Sequence, residues 1–404
     1  MAPPSLAAAR ALAATLVALA PLSTSAAYLG LRNQGNTCYM NSLLQTLHHL
    51  PEFRQAIYSI PTQLDNTSAV ELVPLELQRV FYELQYAEAT GASEVGTELL
   101  TRSFGWGRRE VMVQQDVQEF ARMLCDALQS SMHALAVPDG IASLFEGRTS
   151  SLTRCTRVKF ESEKEERFYD LQVQVQGCSS LHAALRAFVR EERLQGDNKY
   201  NTRNPDLGRQ DARRAMRFKH LPPVLQMHLK RFEYDYESGT MRKLQQEFAF
   251  PTKLRLHRYM ARGADPPSEY VLQAVLSHAG DAGSGHYVAY VRPRGEQTWY
   301  EFDDTRVTPV REEVAVRQQY GGRYARGRAV FGAPPNAYML VYVRKDLESS
   351  PVEGSDGSAL PPAVMRAFEQ QLKRSGGRGG GASSRRKAAS APPLASDVVD
   401  SLFD

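Results

Sequence analysis

YLGLRNQGNTCYMNSLLQTLHHL, residues 28–50, sets one cysteine between a turn rich in glycine and asparagine and an amphipathic run. Met40, Leu43, Leu44, Leu47 and Leu50 recur at helical spacing, which predicts a helix from about Thr37 to Pro51 with Cys38 in its first turn. At that position free backbone N–H groups and the helix dipole favour an anion, which suits a thiol for nucleophilic attack. Free cysteine is also among the most buried residue types, so position alone fits a core residue. Catalysis requires more: a base, a group that orients it and a site for an oxyanion.

Outward from this stretch, Leu72, Leu75, Val80, Phe81 and Leu84 form a second helical pattern, and Val117, Phe120, Leu124 and Leu128 a third. The first third of the chain is therefore read as α-rich. From Leu144 the pattern turns to short alternating runs, RTSSLTRCTRVKF and RFYDLQVQV, broken by one helix-like segment, SLHAALRAFVREERL. The stretch PVLQMHLKRFEYDYESGTMRKLQQEFAF reads as a hairpin turning at Ser238-Gly239. YVLQAVLSHAG, GHYVAYVRP, QTWYEFDD and NAYMLVYVRK supply further strands. The expected class is α+β, a helical lobe beside a sheet.

With 404 residues, 42% apolar and 23% charged, the chain can bury a large core. A net charge of +4, with arginines gathered between Arg203 and Arg217 and in the tail, is too weak for a nucleic-acid binder. Cys38, Cys125, Cys155 and Cys178 form no C-x-x-C pair, which argues against a zinc ribbon or a disulfide scaffold and fits a reducing compartment. Residues 1–27, with Arg10, an apolar run and small residues at Ser25 and Ala27, read as a leader or targeting segment, so the domain is expected to span 28–346. The leader's run is short for a membrane span, and no stable membrane association is expected. Residues 347–404, with KRSGGRGGGASSRRKAASAPP, read as a disordered low-complexity tail. A monomer is the default expectation.

Among nine histidines, His286 stands out, placed in GSGHYVAYVRP between two glycines and the opening of a strand. Seventeen residues on, past a turn at Gly295, comes WYEFDD, so two paired strands can set His286 beside Asp303. The carboxylate then holds the imidazole tautomer and stabilises the imidazolium. Asn33, five residues before Cys38, offers an amide N–H to a developing oxyanion, although an Asx turn is an equally local role for it.

These residues sit in blocks that resemble the ubiquitin-specific proteases (peptidase family C19). GLRNQGNTCYMNSLLQTL resembles their cysteine box, and YVLQAVLSHAGDAGSGHYVAYVRP with WYEFDD their histidine box. QQDVQEFARMLCDAL and LPPVLQMHLKRFEYD lie between in the family's order. SFGW, GDNKY and FEYD resemble the herpesvirus-associated branch most. The resemblance implies a papain-like cysteine protease of thumb, palm and fingers architecture, acting on ubiquitin and ubiquitinated proteins in the cytoplasm or nucleus. It makes Cys38 the nucleophile, His286 the base and acid, Asp303 the orienter, Asn33 the oxyanion donor and Asp304 a helper. Asp116, Glu119 and Glu192 are implied contacts for the arginines of ubiquitin's tail, and Trp106, Tyr234 and Tyr287 implied walls of its channel. The C-x-x-C pairs that hold zinc in many members are missing, so no metal or cofactor is expected. Arg108 and Arg109 make WGRREVMVQQD more basic than such a tail site suggests. A ubiquitin-binding scaffold with weak catalysis, or a protease for another ubiquitin-like modifier, is the alternative.

Overall fold

The structure, a computed structural model, describes residues 28–376 except 66, 238, 265–268, 327–328, 331–332 and 349–350. The leader 1–27, the segment 377–404 and Ser238 of the hairpin turn lie outside the described residues.

The first third is helical: α1 (Cys38–His48), α2 (Pro51–Tyr58), α3 (Ala69–Tyr86), α4 (Glu98–Ser103), α5 (Val117–Ala134) and α6 (Gly140–Phe145). Pro51 opens α2 instead of closing α1, as suits a residue whose missing N–H is an orphan in any first turn. Ser68 and Glu71 form a capping box at the start of α3. Asp116 caps α5, its Oδ1 accepting from the Gln118 N–H at 2.7 Å. The amphipathic reading of α1 is corrected: all eleven of its residues are buried. Its polar residues are tied inward, Gln45 Nε2 to the Leu29 carbonyl at 2.9 Å and Asn41 Nδ2 to Asp304.

The main sheet has eight strands: β1 (Asp170–Gln174), β2 (Val224–Lys230), β3 (Lys253–Leu254), β4 (Tyr270–Asp281), β5 (Ser284–Val291), β6 (Trp299–Asp303), β7 (Arg306–Val310) and β8 (Asn336–Arg344). Their spatial order is β7-β6-β5-β4-β8-β2-β1, with β3 beside β4. The β1–β2 pair is parallel and the other pairs antiparallel. Helix α7 (Leu181–Phe188) packs on the β1 edge, and the short α8 (Glu312–Ala315) follows β7. Strand β8 shows why the sheet is covered on both faces. Met339, Val341 and Val343 join the core built with α1, α2, α3 and α5, while Leu340 and Tyr342 join a second core with Leu181 and Trp299. A four-stranded sheet of Gly147–Cys155, Glu161–Phe168, Ala212–His220 and Glu192–Leu194 stands apart from the main sheet in pairing. The expected hairpin is present as Phe232–Asp235 against Thr240–Lys243, with Gly239 left-handed at φ +67°.

The tail assignment changes for part of 347–404. Residues 362–376 form α9 (Pro362–Gly376), and Leu360, Val364, Phe368 and Leu372 are buried in the helical core. The Phe368 ring lies 5.7 Å from that of Tyr82, with the Arg79 guanidinium over it at 5.1 Å. Among the described residues, no helix is long and apolar enough to cross a membrane.

Candidate active site

Cys38 opens α1, and His286 lies near the start of β5, which packs along α1. Asp303 ends β6, the neighbour of β5, and its Oδ1 is 2.6 Å from His286 Nε2. The Arg306 guanidinium donates to Asp303 Oδ2 at 2.9 Å, so both carboxylate oxygens are engaged. The bond to Asp303, then the contact with Cys38, push the His286 imidazole up to about 10 against the effect of burial. The same bond to His286 holds the Asp303 carboxyl below its ordinary range. Asp303 and Cys38 therefore both act on the one imidazole. Cys125, by contrast, is pushed up to about 12 by burial, which makes it an inert core thiol.

Asp304 joins the two halves of the site. Its backbone sits at φ +51°, and its carbonyl accepts from the Leu31 N–H at 2.8 Å. Its carboxylate accepts from Asn33 Nδ2 at 2.9 Å and from Asn41 Nδ2 at 2.8 Å. Gly30 lies so close that a Cβ there would meet the Asp304 carbonyl oxygen at 2.4 Å. Asn33 is thus drawn into a turn, with Oδ1 accepting from the Gly35 N–H at 2.8 Å and the Thr37 N–H at 3.2 Å. The His286, Asp303 and Asp304 donor atoms gather within 4.8 Å, but each residue is already held by the partners just described.

The other sequence-derived residues scatter. Asp116 caps α5 and accepts a bond from the Tyr338 hydroxyl, while Glu119 is exposed in the first turn of that helix. Trp106 stacks on Phe104 at 5.3 Å and packs against Phe120. Tyr234 is half-exposed on its hairpin beside Tyr236. Tyr287 departs from the expectation of a channel wall: it is 2% exposed, packed between His278 and Tyr338. Glu192 lies exposed on the four-stranded sheet opposite Arg214, so the site's own elements do not carry it. Arg108 and Arg109 are exposed.

Three residues were missed by sequence reasoning. Gln114 Nε2 donates to the Gly285 carbonyl at 3.0 Å and lies 3.6 Å from Cys38 Sγ. Asp170 pairs with Arg122 at 3.2 Å and accepts from Gln118 Nε2, in a cleft of about 270 Å³ beside α5. Asn41, the third, holds Asp304. The signals for Gln114 were its place at the head of the block QQDVQEFARMLCDAL and two residues before a capping aspartate.

The fold and the site define an α+β protein carrying the thiol, imidazole and carboxylate that a thiol hydrolase uses. The chain belongs to the ubiquitin carboxyl-terminal hydrolase family, whose sequence profile matches residues 29–342. It is similar to ubiquitin C-terminal hydrolase 13 of Arabidopsis thaliana, 43% identical over 333 residues, covering 79% of this chain and 29% of that protein. Ubiquitin carboxyl-terminal hydrolase 7 of Drosophila melanogaster is 42% identical over 319 residues, covering 79% and 27%. Ubiquitin carboxyl-terminal hydrolase 15 of Saccharomyces cerevisiae is 34% identical over 371 residues, covering 86% and 29%. The chain spans under a third of the length of these curated relatives.

Proposed function

We propose that this chain is a thiol-dependent deubiquitinase of the ubiquitin-specific protease type, with thumb, palm and fingers, closest to the herpesvirus-associated branch. The contact of His286 with both Asp303 and Cys38 carries the reading. The Cys38 sulfur attacks the carbonyl carbon of ubiquitin's terminal glycine, and the new oxyanion meets the backbone N–H of Cys38 and the second N–H of Asn33. His286 donates its proton to the departing amine, leaving a thioester. Water, deprotonated by His286, then adds to the thioester and releases the thiolate with ubiquitin's free carboxylate. Asp303 keeps the imidazole oriented, and Asp304 holds Asn33 in place. Asp116 and Glu119 at the start of α5, with Asp170 on β1 facing that helix, supply carboxylates for a tail that carries arginines, and Trp106, packed on Phe120 of α5, and Tyr234 on its hairpin supply aromatic surface. The protein works as a monomer in the cytoplasm or nucleus.

The test is labelling of the purified chain by ubiquitin bearing an electrophile at its C-terminus, with Cys38→Ala as control. An adduct that requires Cys38 is expected. Ubiquitin binding without an adduct would make the chain a scaffold, and no binding would point to another modifier or to a dependence on further domains.

A further inference from the structure

Among the described side chains, Gln114 bridges the two walls of the cleft at the reacting sulfur. Its amide nitrogen has two N–H groups, and each faces an acceptor, the Gly285 carbonyl at 3.0 Å and Cys38 Sγ at 3.6 Å. The orientation of the amide follows from chemistry. Turned over, Oε1 would face the Gly285 carbonyl, two acceptors with no proton between them.

Both ends of this bridge are rigid. Gln114 stands two residues before Asp116, whose carboxylate caps α5 and accepts from Tyr338 on β8. Gly285 is locked from behind, since a Cβ there would lie 2.2 Å from the Ala279 carbonyl oxygen and 2.3 Å from His278 Nε2. The titratable groups around Sγ are His286 and Tyr287 on β5 and Tyr39 on α1, with Asp303 behind His286. Of these, only His286 gives the sulfur a cationic proton donor. Tyr39 and Tyr287 are both held neutral by burial.

We infer that Gln114 is a positioning residue for the sulfur and for the strand that carries His286. It directs one N–H at Sγ, a contact that strengthens whenever the acceptor carries charge, and it sets the entry of β5 by holding the carbonyl next to His286. The inference rests on Cys38 being the nucleophile of the proposed function, so its test reads the thiol without ubiquitin.

The experiment is alkylation of the full chain by iodoacetamide from pH 6 to pH 10, followed at the Cys38 peptide by mass spectrometry. In Gln114→Ala the rate is expected to fall about tenfold at neutral pH, the size of one lost hydrogen bond to a charged acceptor, with the gap closing as pH rises. Gln114→Glu keeps the shape but sets a carboxylate against sulfur and carbonyl, and its neutral-pH rate is expected to fall further. A purely structural role would lower the rate equally at every pH. That result, or rates equal to the parent in both variants, overturns the inference. Because no ubiquitin is present, a chain inactive on ubiquitin still gives a decisive answer.

Discussion

His278 on β4 and His286 on β5 lie one rung apart, His278 opposite Tyr287 and His286 opposite Ala279. Their environments drive them in opposite directions. His278 is 1% exposed with Nδ1 lacking a partner, and burial, then Lys243 and His286, bring it down to about 3. His286 faces Asp303 and Cys38 and is carried up to about 10. A shared sheet therefore does not give two imidazoles the same behaviour. His278 is buried and His286 only half-buried, the carboxylate at the end of β6 acts on His286 alone, and His278 serves as packing behind Gly285.

The sharpest way to break this comparison is Asp303→Asn, which removes the charge and keeps the shape. Turnover of a ubiquitin-linked reporter is expected to fall about a thousandfold, and the alkaline limb of its pH–rate profile to retreat from about 10 toward the ordinary imidazole range. Gly285→Ala comes next, because its Cβ would meet the Ala279 carbonyl oxygen at 2.2 Å and the backbone must move. Displacing the neighbouring imidazole is expected to lower kcat/KM about a hundredfold. His278→Leu, which roughly conserves volume, should leave turnover within a fewfold and cost under about 1.5 kcal/mol in urea unfolding. Turnover lost in that variant would give the two histidines equal standing.

The smallest effect is in the pH dependence of stability, where the two residues act with opposite sign. His286 is raised on folding, so its contribution is fully present below its unfolded value of about 6.5 and is lost as pH rises through about 10. His278 is depressed, as is His49 with a value of about 3, so the unfolded chain binds more protons and stability falls as pH drops from about 6.5 toward 3. Denaturation midpoints from pH 3 to pH 10 are expected to form a dome, flattened on the alkaline side by Asp303→Asn and on the acid side by His278→Leu. An unchanged alkaline side in Asp303→Asn would show that the carboxylate does not set the base.

Cys38, His286 and Asp303 were legible because each sits at a local landmark: a helix start, a glycine-flanked strand opening and an acidic strand end. The alternation that places β8 residues in two cores is likewise written in NAYMLVYVRK. What stayed hidden depends on contacts far apart in sequence. Asn33 reads equally as turn former or anion donor until Asp304, 271 residues away, takes one of its N–H groups. Tyr287 looks like a strand aromatic facing a channel until His278 and Tyr338 close around it. Leu360, Val364, Phe368 and Leu372 do carry a four-residue spacing, but the glycine, serine and arginine beyond them dominate the composition. The partners that bury them, Tyr82 and Arg79, come from α3 near the other end of the domain.

The knot at Asp304 has a consequence for the order of synthesis. Cys38, its helix and the short strand Gly30–Leu31 leave the ribosome early, while Asp304, which pins that strand and holds Asn33 and Asn41, follows about 270 residues later, just after His286 and Asp303. Until those residues emerge, Cys38 lacks the imidazole that faces it and the turn in front of it is unpinned, and the arrangement is complete only after β8, which pairs with β4, has followed.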